Sequence, residues 1–274
     1  MSETFAHSEK PQLRIGGASA FWGDSELGIE QLVNKGDVHV LVFDYLAELT
    51  MSLLARARVK NPDAAYATDF ISGIAPHLQT VAARKIKLLS NAGGINPHGC
   101  ARALREAAAR AGVQLKIVVV EGDDLMPDID RIRAQGVSEM FSGAVLPPRL
   151  TSINAYLGAK PIAQALECGA DVVITGRCVD SALALGALVH HFDWRFDDYD
   201  RLAAGSLVGH LLECTTQTTG GLFTDWLHIP IDVEIGYPIA ECYQNGSFVL
   251  TKPEGTGGLI GPLVAAEQML YEIG

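Results

Sequence analysis

The sequence predicts an α/β fold: a doubly wound, mainly parallel sheet followed by a smaller C-terminal α+β appendage. Three observations carry this. Apolar runs of strand length alternate with helical patterns up to about residue 200. Those runs are near-continuous in Val, Ile and Leu, as expected where helices cover both sheet faces. Beyond residue 200 the texture becomes turn-rich, and Asn245-Gly246 sits between two alternating runs, a strong hairpin signal.

The strands are expected at Leu13–Gly17, His39–Asp44, Ile86–Ser90, Lys116–Glu121 and Asp171–Thr175. Helical patterns at Ser25–Lys35, Pro97–Ala111 and Ser152–Cys168 each stop before a glycine, and Ser181–His191 follows Asp180. Asp24, Asn96 and Asp180 suit N-caps and Pro97 suits the first helical position. Five strands in this length fit an open Rossmann-like sheet better than a complete eight-stranded barrel. Later come a helical Leu202–Cys214, the turn-rich TTQTTGG of Thr215–Gly221, the hairpin, and a final helical Pro262–Ile273. The expected division is a flexible tail at 1–12, a Rossmann-like α/β domain at 13–200 and the appendage at 201–274.

The net charge of −11, with no Lys/Arg cluster, argues against nucleic-acid binding and against attraction to anionic lipid. No secretory pattern or membrane-length apolar run is present, and the five cysteines show no CxxC spacing. A cytoplasmic protein with reduced thiols, no bound metal and no cofactor is the expectation.

Ligands in open α/β sheets bind beyond the carboxyl ends of the strands. That rim should gather Gly16, Gly17, Asp44, Asn91, Gly93, Gly94, Asn96, Glu121, Asp123, Arg177 and Asp180. Asn91-Ala92-Gly93-Gly94 ahead of a helix is the best candidate for an anion cradle, since glycines admit a ligand to the backbone and the helix N-terminus attracts negative charge. Arg177 would clamp a carboxylate or phosphate, or else pair with Asp180 or Asp123. Further on, Ser206, His210 and Glu213 share one helical face, which makes His210 an acid/base candidate beside Glu121 and Asp123. GxGxxG, GxxxxGK[ST] and GxSxG are all absent, which counts against dinucleotide, Walker and hydrolase sites.

The strings LRIGGASAFWGDS, LVFDYLAELTMSLLARAR, SNAGGINP, VVVEGDDL, NAYLGAKPIAQALECGADVVITGRCVDSALALG and DYDRLAAGSLVGHLLECTTQTTGGLFTDW occur in that order. In these the chain resembles the acyclic terpene utilisation protein A family from about residue 13 onward. The resemblance implies a place in the breakdown of acyclic terpenes such as citronellol and geraniol, which proceeds through CoA thioesters. It carries over no catalytic residue. The expected function is therefore a catabolic enzyme acting on an acyl-CoA or branched carboxylic acid by lyase or hydratase chemistry, with CoA entering only as part of the substrate. The alternative is a non-catalytic metabolite-binding or assembly subunit. A small-molecule substrate is expected, together with a homo-oligomer or a partner subunit supplying a C-terminal portion.

Overall fold

The computed structural model describes residues 13–61 and 63–271. The tail expected at 1–12 and the last turn expected for the final helix lie outside them. The strands are β1 (Leu13–Ser19), β2 (Val40–Phe43), β3 (Lys87–Ser90), β4 (Ile117–Val120), β5 (Val172–Thr175), β6 (Ile239–Cys242) and β7 (Phe248–Thr251). They form one sheet in the order β4-β5-β3-β2-β1-β6-β7. The first five strands run parallel, whereas β6 pairs antiparallel with β1, and β7 with β6.

Alternation along the strands sends side chains into two cores. Leu41, Phe43, Leu88, Val172 and Ile174 face one side. There they meet α1 (Leu27–Lys35), α2 (Glu48–Lys60), α3 (Asp69–Ile74), α4 (Leu78–Arg84) and α5 (Pro97–Arg110). Val40, Val42, Leu89 and Val173 face the other side. After the short exposed α6 (Ile129–Ala134), that second side is covered by α7 (Ala159–Glu167), α8 (Ala182–Phe192) and α9 (Tyr199–Glu213). Burial on both faces is why these strands carry uninterrupted apolar runs.

Residues 201–274, expected as an appendage, contribute β6 and β7 to this same sheet, and α9 packs against β1, β2 and β6. The hairpin turns where expected, with Gly246 at φ +92. The closing helix α10 (Pro262–Tyr271) rests on α9 and on the 3-10 turn Thr215–Thr219. Among the described residues no helix is long and apolar enough to cross a membrane.

Connectivity fixes where a cleft can open. The chain leaves β3 towards α5 on one face, whereas it leaves β5 towards α8 on the other. β3 and β5 are neighbours, so their carboxyl-end loops diverge and leave a crevice between them.

Candidate functional site

A cleft of about 360 Å³ opens at the carboxyl ends of β1, β2 and β5, lined by Asp44, Leu46, Glu48, Tyr156, Arg177, Asp180, Glu213 and their neighbours. Asp44 follows β2 directly, and Asn91 follows β3 one strand away. The Asn91 amide Nδ2 donates to Asp44 Oδ1 at 2.5 Å, and its Oδ1 accepts from the Tyr45 N–H at 2.7 Å. The Leu46 N–H donates to the same Asp44 oxygen at 3.1 Å.

Arg177, only 5% exposed, enters from the loop after β5. Its Nη1 donates to Leu46 O at 2.6 Å and Asp180 Oδ1 at 2.9 Å, and its Nη2 lies 3.5 Å from Glu48 Oε1. The Tyr156 ring covers the guanidinium at 4.3 Å, and the Tyr156 hydroxyl donates to Glu48 Oε1 at 2.5 Å. The guanidinium pairs with Asp180, one of the partners expected for it.

Carboxylate oxygens of Asp44, Asp180 and Glu213 lie within 4.8 Å of one another. Like charges so close are relieved by a proton or by a cation. Burial first, then the Asp180 charge, pushes the Asp44 carboxyl up to about 7, against the opposing pull of Asn91, the Leu46 N–H and Arg177. Asp44 thus exchanges its proton much closer to neutrality than an ordinary carboxyl does. Three oxygens of this type could also ligate a hard divalent cation.

The remaining candidates distribute as follows. Asp123 is buried and tied, its Oδ2 accepting from the Arg177 N–H at 2.8 Å and from Asn154 Nδ2 at 2.9 Å. It shapes the loop that carries Arg177 and does not line the cleft. Glu121 pairs with His98 at 2.9 Å on the exposed surface, again outside the cleft lining. His210 stands behind Glu213, with Nδ1 3.0 Å from Glu213 Oε1 and Nε2 3.2 Å from Met269 O. Asn96 caps α5, accepting from the Gly99 N–H at 2.9 Å.

The glycines have packing roles. Gly16 and Gly17 lie inside β1, not in its loop, and a Cβ on Gly17 would stand 2.3 Å from Leu212 O. That absence of a side chain lets the end of α9, and so Glu213, approach the strand. A Cβ on Gly93 would meet Thr175 O at 2.4 Å. The loop Asn91–Ile95 is buried. Its Ala92, Gly94 and Ile95 N–H groups donate to Ser90 Oγ, Asn91 O and Ala65 O. These three donors are spent within the protein, and the Asn91 side chain turns to Asp44 and the Tyr45 N–H.

The profile described as acyclic terpene utilisation family protein AtuA matches residues 13–274. The chain belongs to the AtuA family. No curated protein and no solved structure matches it. The AtuA match spans all seven strands and every residue lining the cleft. Among the cleft residues not singled out as site residues by sequence are Glu48, Tyr156 and Glu213. Glu213 had a local signal in its spacing from His210, whereas Glu48 and Tyr156 are joined only by the tertiary fold.

Proposed function

We propose that this AtuA-family chain is a catabolic enzyme of acyclic terpene degradation that adds water to, or removes it from, a branched acyl-CoA or carboxylic acid. The observation that carries this reading is Asp44: a buried carboxyl set between two further carboxylates and a guanidinium, its proton affinity raised towards neutrality by burial. Hydration of a double bond conjugated to a carbonyl needs a proton donor, a base for water and a donor to the carbonyl oxygen. Asp44 supplies the proton to carbon, and Asp180 or Glu213 takes one from the attacking water. Arg177 Nη2, whose Glu48 contact is the longest of its bonds, faces the carbonyl oxygen. His210 acts behind Glu213 and holds its carboxylate in place. The cleft takes the reacting head only, so the bulk of a CoA carrier stays outside it.

The test is turnover of branched 2,3-unsaturated acyl-CoAs by wild type and Asp44→Asn. Loss of about 100-fold or more in kcat with retained folding is expected. Unchanged turnover in Asp44→Asn removes the assignment. A second reading, a metabolite-binding or assembly subunit without turnover, is favoured by the internal saturation of Arg177 Nη1. Saturable binding of these thioesters without any chemical conversion would select it.

A further inference from the structure

Two hydrogen-bond donors converge on one oxygen atom at the exposed side of the cleft. The Tyr156 hydroxyl donates to Glu48 Oε1 at 2.5 Å, and Arg177 Nη2 lies 3.5 Å from the same atom. Both donors are held from behind. The chain on either side of Tyr156 is pinned: the Ala155 N–H donates to Asp123 O at 2.8 Å, and the Leu157 N–H to Arg177 O at 3.2 Å. The Val179 N–H returns a bond to Leu157 O at 2.9 Å. The Tyr156 ring covers the guanidinium, whose Nη1 is fixed by Leu46 O and Asp180, so Nη2 is the nitrogen turned to Glu48.

The acceptor is built differently from its donors. Glu48 stands on the first turn of α2, and its side chain is 79% exposed, against 6% for Arg177. A rotamer change takes its carboxylate into water at little cost, since exposed ion pairs contribute little to stability. The two donors stay where they are, aimed at one point beside Asp44, Asp180 and Glu213. Preset donors aimed at a single point are what stabilise charge developing on an acyl oxygen. That point accommodates one acceptor at a time.

We propose that Tyr156 and Arg177 Nη2 together bind the acyl oxygen of the substrate, and that Glu48 takes its place in the free chain and swings out when substrate enters. The acyl group rests on the function proposed above; the second donor and the internal competitor are added to it. A mere tie between α2 and the segment before α7 would use the same Tyr156–Glu48 bond. The two roles differ in sign. Losing either partner of a tie has one effect, whereas losing a donor weakens substrate binding and losing a competitor strengthens it.

Isothermal titration of the full chain with isobutyrate and with isobutyryl-CoA, which have no double bond to hydrate, reads binding apart from turnover. Glu48→Ala should bind tighter by at least about threefold, because a competitor seated in the site reduces apparent affinity by the fraction of chains it occupies. Adding Tyr156→Phe in that background should weaken binding about tenfold, the loss of one hydrogen bond to a polarised oxygen. Both side chains are exposed, so the variants keep the wild-type circular dichroism. Tightening for the acid alone assigns the site to a free carboxylate, and for the thioester alone to a thioester carbonyl. Unchanged or weaker binding in Glu48→Ala overturns the proposal, as does a double variant that binds like Glu48→Ala. Absence of binding to both probes overturns it too. Failure of turnover with this binding pattern intact would remove the hydration chemistry and leave the acyl-oxygen site standing.

Discussion

Asn91 holds the Asp44 carboxyl across a 2.5 Å hydrogen bond that joins the ends of two adjacent parallel strands. The same side chain accepts the Tyr45 N–H, so both ends of the amide are used within the core. Asn91→Asp would replace the donor with a second acceptor facing Asp44. Destabilisation of about 2–3 kcal/mol is expected at alkaline pH, shrinking in acid as the pair shares a proton. Urea unfolding at both pH values measures it; equal loss at the two would contradict the repulsion.

Asp44 also sets a pH dependence. Its carboxyl titrates near 7 in the folded chain against 3.8 ordinarily, so the folded state binds that proton more tightly than the unfolded one. Its stabilising contribution is complete below about pH 4 and is lost as pH rises through about 7, amounting to up to about 4 kcal/mol. Asp44→Asn removes this component. The wild-type-minus-variant difference in unfolding free energy should therefore fall between about pH 4 and about pH 7 and level off above. A flat difference would show that Asp44 is ionised throughout.

Arg177 is expected to tolerate no substitution. Arg177→Met strips donors from Leu46 O and Asp180 and leaves Asp180 and Asp44 without their cation, at a cost of about 3 kcal/mol. Arg177→Lys should recover little, because an ammonium cannot span both acceptors while stacking on Tyr156. Thermal melts of both variants decide this, and full stability in the lysine variant would reject the argument.

Gly17 makes a sharper steric case. The added methyl of Gly17→Ala meets a backbone carbonyl 2.3 Å away, so α9 must move and about 2 kcal/mol is lost. Gly261→Ala meets nothing within 4 Å and serves as the matched control with little change. Similar melting temperatures for the two would mean that α9 shifts freely.

Thiol reactivity should separate along burial. Burial pushes the Cys100 and Cys242 thiols up to about 12, and Cys178 is raised further by burial and by Asp44. Cys168 is exposed. A thiol reagent should label Cys168 promptly and reach the three buried sites only on unfolding. Prompt labelling of Cys178 would mean that the core beside the cleft opens.

The five parallel strands were legible because uninterrupted Val/Ile/Leu runs are what two-sided burial demands, and Asn96-Pro97 marked the start of α5 by capping chemistry alone. The site was legible residue by residue, not as an arrangement. Asp44, Asn91, Arg177 and Asp180 converge as strand-end logic expects. Gly16 and Gly17 were expected at the ligand-binding rim, yet the contact that requires Gly17 to lack a side chain lies about 195 residues away at Leu212. The helix expected from Ser152 begins at Ala159, since Asn154 and Tyr156 are drawn into extended chain by Asp123 and Glu48. Helix α2 was not among the expected helices, and its Leu49, Leu53 and Val59 put apolar residues on its exposed side.

Strand β5 lies between β3 and β4, both of which precede it in the chain. During synthesis the two earlier strands therefore have no partner in each other, and a slot waits between them for a segment made more than 50 residues after β4. Arg177 arrives only with that segment, and Glu213 only after two further helices. The acid cluster is thus completed late, after the five parallel strands and before β6 and β7 extend the sheet. Pulse-labelled amide exchange during refolding should protect β1–β3 before β5, and simultaneous protection would exclude this order of assembly.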